Sequence, residues 1–220
     1  MTHQQWDDEL YQGFEKPPLP DEANEAGRGL PAEEGLALLA EKIRVCTNCD
    51  LADGRMHAVP GEGNPHATIM FVGEAPGAME DKTGRPFVGA SGKFLDAMLR
   101  DIGLERPDVF IGNINRCRPP GNRDPNTGEI TACNPWLRAQ IRIIQPKVIC
   151  PLGRFALTTL VDPKLQISKV HGQPIEKAGI LFIPLYHPAA ALHRQDLRDT
   201  LIADMHTLRD ILIAHGYWKG

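Results

Sequence analysis

The 220-residue chain has no excess of basic residues and no long hydrophobic run. Its 24 Lys and Arg against 28 Asp and Glu leave a net charge of −4, which excludes a protein that coats nucleic acid through bulk positive charge. No stretch of 18 apolar residues occurs, so we expect no membrane span. The N-terminus lacks the basic start and apolar segment of a secretory signal, and we therefore expect a cytoplasmic protein.

The charge is unevenly distributed along the chain. Residues 1–41 carry a net charge of −8, whereas the remaining residues carry +4. Residues 1–31 are rich in Pro, Gly and acidic side chains without sustained periodicity, which predicts an acidic, flexible N-terminal lead. A protein partner could bind through residues 1–30. Residues 32–220 form the predicted folded domain, which we expect to be monomeric.

Four short apolar runs alternate with helical patterns. The runs predict buried strands at 67–72, 109–114, 147–152 and 180–185. Apolar residues at helical spacing predict helices at 91–102, 135–145 and near 154–161, together with a long closing helix. This alternation predicts an α/β fold of three layers, α/β/α, with a central four-stranded parallel sheet.

Three of the four segments that follow the predicted strands are rich in polar, Gly and Pro residues. They are residues 73–89, 113–125 and 186–194. Because binding sites of such folds lie beyond the carboxyl ends of the strands, we expect these segments to meet around one cleft.

The five cysteines divide into a set of four and a single residue. Cys46 and Cys49 have C-x2-C spacing, and Cys117 and Cys133 follow at wider intervals. Cys150 lies within an apolar strand, which is typical of a buried core residue. Spacing alone leaves three interpretations of the set of four: a [4Fe–4S] cluster, which we favour, a zinc site, or unligated thiols.

Three segments together resemble a known family. GEAPGAMEDKTGRPFVGASG, NINRCRPPGNRDP and HPAAALHR are similar, in order and spacing, to the signature segments of the iron–sulfur (family 4) uracil-DNA glycosylases. The four-cysteine spacing also matches, and the resemblance covers roughly residues 36–215. It implies a DNA repair enzyme that flips uracil out of DNA and hydrolyses its N-glycosidic bond, with a [4Fe–4S] cluster on Cys46, Cys49, Cys117 and Cys133.

The resemblance also implies roles in a uracil pocket. Phe87 would stack on the base, and the amide of Asn113 would pair with uracil O4 and N3–H. His187 would stabilise the negative charge that grows on the leaving uracil. Many members of the wider superfamily have an Asp or Asn water activator where this chain has Ala75. Glu74 and Glu80 are the nearby carboxylates that could position the water, and a water aligned by backbone groups is an equal alternative. Glu74 and Ala75 are also expected to border the uracil pocket.

Contacts with the DNA backbone are assigned to basic loops. Residues 106–154 have a net charge of +5. Candidate DNA-contacting residues lie after the second and fourth strands, with one apolar residue as a possible wedge in the duplex; they are Arg116, Arg118, Arg123, Leu192 and Arg194.

Two other functions are compatible with the same residues. One is a non-catalytic module that binds uracil or single-stranded DNA, and the other is a zinc-stabilised hydrolase of a nucleotide-like substrate. No lysine of the motif loops is an evident Schiff-base nucleophile, the nearest being Lys82, so we expect a monofunctional glycosylase without lyase chemistry.

Overall fold

The computed structural model describes residues 27–218. Most of the acidic lead, residues 1–26, therefore lies outside the described residues. Its predicted flexibility and its possible protein partner stay predictions.

A six-stranded sheet forms the centre of the described chain, with the strand order β1-β3-β2-β4-β6-β5. The strands are β1 (Glu62–Gly63), β2 (Ile69–Gly73), β3 (Phe110–Asn113), β4 (Val148–Pro151), β5 (Ile175–Lys177) and β6 (Ile180–Phe182). Strands β3, β2, β4 and β6 are mutually parallel, which confirms the predicted four-stranded parallel sheet. The sequence analysis missed β1 and β5, which pair antiparallel at the two edges.

The helices follow the predicted alternation. They are α1 (Ala32–Val45), α2 (Leu51–Gly54), α3 (Ala78–Thr83), α4 (Ala90–Asp101), α5 (Thr127–Ile144), α6 (Arg154–Leu160), α7 (Ile167–Val170) and α8 (Gln195–Ala214). Short 3-10 turns add Arg106–Asp108, Pro120–Asn122 and Pro188–Ala191. Within the described part of the chain, no helix is both long and apolar enough to cross a bilayer.

The helix predicted at 135–145 begins earlier than expected. Helix α5 starts at Thr127 and includes Pro135. Its start is fixed by a capping box: the Asn126 side chain accepts from the Glu129 amide at 2.8 Å, and the Glu129 carboxylate accepts from the Asn126 amide at 2.8 Å. The first two turns of α5 therefore carry Cys133 to the end of the sheet that bears the polar loops.

Both faces of the sheet are covered by helices. Because side chains alternate along β2, Ile69 and Phe71 pack into one apolar cluster and Met70 and Val72 into another. The first cluster contains residues of α4 and α8, and the second contains residues of α5 and α6. Cys150 is fully buried in the first cluster, in agreement with its prediction as a core residue. The three-layer α/β/α arrangement is thus confirmed.

One glycine is required where α4 meets the loop before it. A Cβ atom on Gly92 would lie 1.8 Å from the carbonyl oxygen of Phe87. The loop can therefore lie against the first turn of α4 only because position 92 has no side chain.

We expect Gly92→Ala to lower the free energy of unfolding by about 1–3 kcal/mol, because the new methyl group must push the Phe87 loop away from α4. Urea denaturation measures this change. Gly54→Ala is the matched control, since a Cβ there has no heavy atom within 4 Å. Equal stabilities of the two variants would contradict the required close approach.

Candidate active site

One cleft of about 350 Å³ opens at the carboxyl edge of the parallel strands. Segments that follow β2, β3 and β6 line it, as expected from the polar loops. The lining includes Glu74, Ala75, Pro76, Gly77, Glu80, Phe87, Ser91, Asn113, Pro119, Asn122, Arg123, His187 and Ala189. All six residues assigned to the uracil pocket or to catalysis by the resemblance are therefore brought together.

The aromatic wall of the cleft is Phe87. Its ring is buried, and its centroid lies 5.7 Å from that of the His187 ring, with the two planes tilted by 30°. Gly73, the last residue of β2, leaves the space between Phe87 and Asn113 open. A Cβ on Gly73 would lie 2.6 Å from the Phe87 ring and 2.5 Å from Asn113 Oδ1. A glycine is thus needed for both side chains to border one cavity.

Asn113 brings an unpaired acceptor to the cleft. It is the last residue of β3 and is only 2% exposed, and its Oδ1 atom is buried without a hydrogen-bond partner. A buried carbonyl oxygen without a donor is costly, which marks Oδ1 as a position for a ligand N–H. Asn115 Oδ1 is also buried without a partner, but Asn115 does not line the cleft and its amide nitrogen donates to the Glu129 carbonyl at 3.0 Å. Asn113 is therefore the better placed of the two for reading a base edge.

His187 presents a neutral imidazole. The amide of Ala189 donates to His187 Nδ1 at 3.1 Å, so in the neutral ring the proton resides on Nε2. Burial lowers the pKa of His187 to about 4, although the nearby Glu80 carboxylate opposes this shift. The ring is held close to Gly153, where a Cβ would lie 2.9 Å from the His187 Cβ. At neutral pH, His187 is therefore a hydrogen-bond donor without a positive charge.

The two candidate carboxylates have different surroundings. Glu80 is buried, and its Oε1 accepts from the amides of Val88 and Gly89 at 2.9 and 2.8 Å. Glu74 is only partly buried, and desolvation together with the nearby Asp124 raises its pKa to about 7, against the effect of Arg154. Glu80 is thus part of the loop scaffold, whereas Glu74 changes protonation near neutral pH.

The basic residues assigned to DNA are not equivalent. Arg116 is 1% exposed and its guanidinium donates to Gln140 at 2.7 Å, so its prediction as a phosphate contact is wrong. Helix α5 covers it, which the sequence pattern did not indicate. Arg118 is partly exposed and donates to Asn122 at 2.7 Å, and Arg123 lines the cleft and pairs with Glu129 at 2.6 Å.

The loop after β6 carries the remaining two candidates. Arg194 is 62% exposed and forms an ion pair with Asp196. Leu192 is half-buried against the apolar cluster of α4 and α8. Neither residue lines the cleft, and both lie near its His187 side in sequence. Ser91 and Asn122 line the cleft without having been singled out, because neither stands in a pattern that carries a specific chemistry.

The four cysteines of the predicted cluster line a second, much smaller cavity, of about 10 Å³ against about 350 Å³ for the cleft. It lies between the end of α1, the segment before α2, the exit of β3 and helix α5. Cys117 Sγ accepts from Arg55 Nη1 at 3.2 Å, and Cys133 Sγ accepts from the Arg116 amide at 3.2 Å. Burial raises the pKa of Cys133 to about 12, which is unlike a catalytic thiol.

Unpaired donors in this cavity fit an anionic group. Buried Nε and Nη1 of Arg116 and buried Nε1 of Trp136 lack partners, and both side chains line the cavity. Four thiolates beside such donors match the donor set of an iron–sulfur cluster. Among residues 27–218, no three Cys, His, Asp or Glu side chains meet closely enough for a single metal ion.

An aromatic ring, an imidazole and an unpaired amide around one cleft are typical of a site for a flat, nucleobase-like ring. The family model of the uracil DNA glycosylase superfamily matches residues 60–206. The chain belongs to this superfamily.

Several similar proteins carry the name type-4 uracil-DNA glycosylase. The protein from Sulfurisphaera tokodaii is 48% identical over 190 residues, which cover 82% of this chain and 86% of that protein. The protein from Saccharolobus solfataricus is 46% identical over 188 residues, with 81% and 87% covered. The protein from Thermotoga maritima is 44% identical over 188 residues, with 84% and 98% covered.

The His187 ring should stay neutral well below neutral pH. NMR titration of the labelled imidazole should give a pKa of about 4 in the folded chain and about 6.5 in the urea-unfolded chain. Because the unfolded state then binds the proton more tightly, this group's contribution to stability is lost as pH falls from about 6.5 towards 4. A folded-state pKa at or above 6.5 would contradict the neutral donor.

Proposed function

We propose that the chain is a monofunctional uracil-DNA glycosylase, which takes uracil out of the DNA stack and hydrolyses its N-glycosidic bond to leave an abasic site. The unpaired Asn113 Oδ1 beside Phe87 and His187 is the observation that carries this proposal. The names of the type-4 relatives support it, since they match over most of the chain.

Base recognition uses the ring of Phe87 and the amide of Asn113. The Phe87 ring offers a flat apolar face on which the pyrimidine stacks. Asn113 Oδ1 accepts from uracil N3–H, and the Asn113 amide nitrogen donates to O4. Cytosine has no N3–H and carries an amino group in place of O4, so the same amide rejects it. A buried acceptor left unpaired by the wrong base makes this discrimination strong.

Departure of the base is assisted by His187. As the glycosidic bond breaks, negative charge grows on uracil O2, and the Nε2–H of a neutral imidazole donates to it. This bond strengthens in the transition state, so it lowers the barrier more than it tightens substrate binding. Because burial disfavours the imidazolium form, His187 does not need to transfer its proton.

The water is positioned by a carboxylate on the β2 side of the cleft, where Ala75 supplies no polar group. Glu80 Oε1 is occupied by the Val88 and Gly89 amides, whereas Oε2 lies on the side of Gly77. The negative charge of Glu80 also stabilises an oxocarbenium-like sugar. Glu74 is the second carboxylate at the cleft, and its raised pKa makes any contribution to water positioning dependent on pH near neutrality.

DNA is held at the rim of the cleft by few charges. Arg118, Arg123 and Arg194 are accessible to phosphates, and Leu192 is the candidate wedge for the space left by the flipped base. Arg116 has no part in this contact. The resulting footprint is small, so the salt dependence of DNA binding should be shallow. The monomeric state and the cytoplasmic location stay predictions.

A [4Fe–4S] cluster is proposed on Cys46, Cys49, Cys117 and Cys133. When bound, such a cluster supplies a covalent cross-link among distant segments of chain. The cysteines would tie the end of α1 and the segment before α2 to the exit of β3 and to α5. This fixes the segment that follows Asn113, so the role of the four residues is structural.

The direct test of the function is incubation of the protein with a uracil-containing oligonucleotide, followed by alkali. We expect strand breakage at the uracil. Binding without breakage would favour the non-catalytic module and would reject the enzyme.

Two substitutions test the assigned pocket. Asn113→Ala and His187→Ala should each raise the barrier to excision by about 2–4 kcal/mol, because each removes a hydrogen bond at a site of recognition or developing charge. Single-turnover rates measure this loss. His66→Ala is the matched control, since that histidine is exposed, precedes β2 and does not line the cleft. Near-normal rates in both pocket variants would place the site elsewhere.

Metal analysis tests the cluster. The purified protein should hold about four irons per chain and absorb broadly near roughly 400 nm. Cys46→Ser and Cys133→Ser should lose the iron, whereas Cys150→Ala should keep it because Cys150 lies in the core between β4 and its helices. Bound zinc without iron would contradict the assignment.

A further inference from the structure

The stacking residue of the cleft is held in an unfavourable backbone conformation. Phe87 has φ +51°, in the left-handed region that residues with a Cβ seldom adopt. Such a conformation persists only where the surroundings enforce it, and it often occurs at functional sites. The direction of the Phe87 ring therefore depends on its packing in the apolar cluster of α4 and α8 and on the contacts that hold the peptide groups around it.

Arg106 donates hydrogen bonds to two carbonyl groups of this turn. Its Nη2 donates to the Phe87 carbonyl oxygen in a short hydrogen bond, and its Nη1 donates to the Pro86 carbonyl oxygen at 3.1 Å. Arg106 lies in the 3-10 turn before β3 and is not part of the cleft lining. Its effect on a bound base must therefore pass through Phe87.

The guanidinium is itself fixed by two carboxylates. Arg106 Nε donates to Asp96 Oδ1 of α4 at 2.6 Å, and Nη1 also contacts Glu62 Oε1 of β1 at 2.5 Å. The side chain is only 19% exposed, so these ion pairs are partly shielded from solvent. The planar guanidinium of Arg106 is thus held at Nε and Nη1. Its remaining N–H groups are therefore directed at the two carbonyl oxygens in a fixed geometry.

The opposite side of the same turn is held by Glu80. Its Oε1 accepts from the amides of Val88 and Gly89 at 2.9 and 2.8 Å. Carbonyls 86 and 87 thus point to a cation, and amides 88 and 89 point to an anion. Because Gly92 has no side chain, the Phe87 carbonyl can also lie against α4.

We propose that Arg106 is a positioning residue that holds the Phe87 ring at the angle required for stacking on the flipped uracil. This inference rests on the proposed function. It predicts that loss of Arg106 weakens recognition of the base, because Phe87 can relax from its left-handed conformation. The hydrogen bonds made by His187 and Asn113 remain available, so the rate at saturating substrate should change less than the affinity for uracil.

The test compares Arg106→Met and Arg106→Lys with Arg85→Met. Arg85 also pairs with Glu62, at 2.8 Å, but it is 61% exposed and contacts neither carbonyl. We expect Arg106→Met to weaken inhibition by free uracil about tenfold and to raise KM for the uracil oligonucleotide similarly, with kcat within about threefold. Arg106→Lys should restore part of the affinity, and Arg85→Met should change it less than about twofold.

A double-mutant cycle separates positioning from general destabilisation. In a Phe87→Ala background the ring is absent, so Arg106→Met should weaken uracil inhibition by less than about twofold. An equal loss in both backgrounds, or equal behaviour of Arg106→Met and Arg85→Met, would overturn the inference. If circular dichroism shows Arg106→Met to be unfolded, Arg106→Lys is compared instead in the wild-type and Phe87→Ala backgrounds, with the same criterion. Absence of uracil excision by the wild-type chain would instead refute the proposed function.

Discussion

The candidate site depends on one unpaired atom, the buried Oδ1 of Asn113. An amide oxygen removed from water without a donor costs on the order of 1–3 kcal/mol. The surrounding structure keeps that acceptor open, because Gly73 leaves the space in front of it empty and β3 fixes its direction. A ligand that brings an N–H group recovers this cost, and a ligand that does not leaves it unrecovered. In the proposed function, the fold thus prepares the acceptor for one base edge before any ligand binds.

Hydrogen bonds to backbone groups contribute to the other walls of the cleft. Glu80 binds two amides and Arg106 binds two carbonyls of the turn that bears Phe87. His187 is oriented by the amide of Ala189, which fixes the ring nitrogen that carries the proton. Arg106 shapes the loop without entering the chemistry, whereas Glu80 shapes the loop and also lines the cleft.

The sequence predicted the interior of this structure well and its edges poorly. The run 67–72 is apolar on both faces, so a buried parallel strand was evident, and the polar segments after such strands had to meet at one edge. Strand β1 has only two residues and no apolar pattern, so no feature of the sequence predicted it. Arg116 was assigned to the surface because it stands in a polar loop, yet α5 buries it. Arg106 was missed because its partner Glu62 lies 44 residues away.

The structure of the chain with free uracil tests the central claim most directly. The account predicts a base stacked on Phe87, with N3–H directed at Asn113 Oδ1 and O2 at His187 Nε2. Uracil bound outside this cleft, or within it with Asn113 Oδ1 still unpaired, would contradict the account.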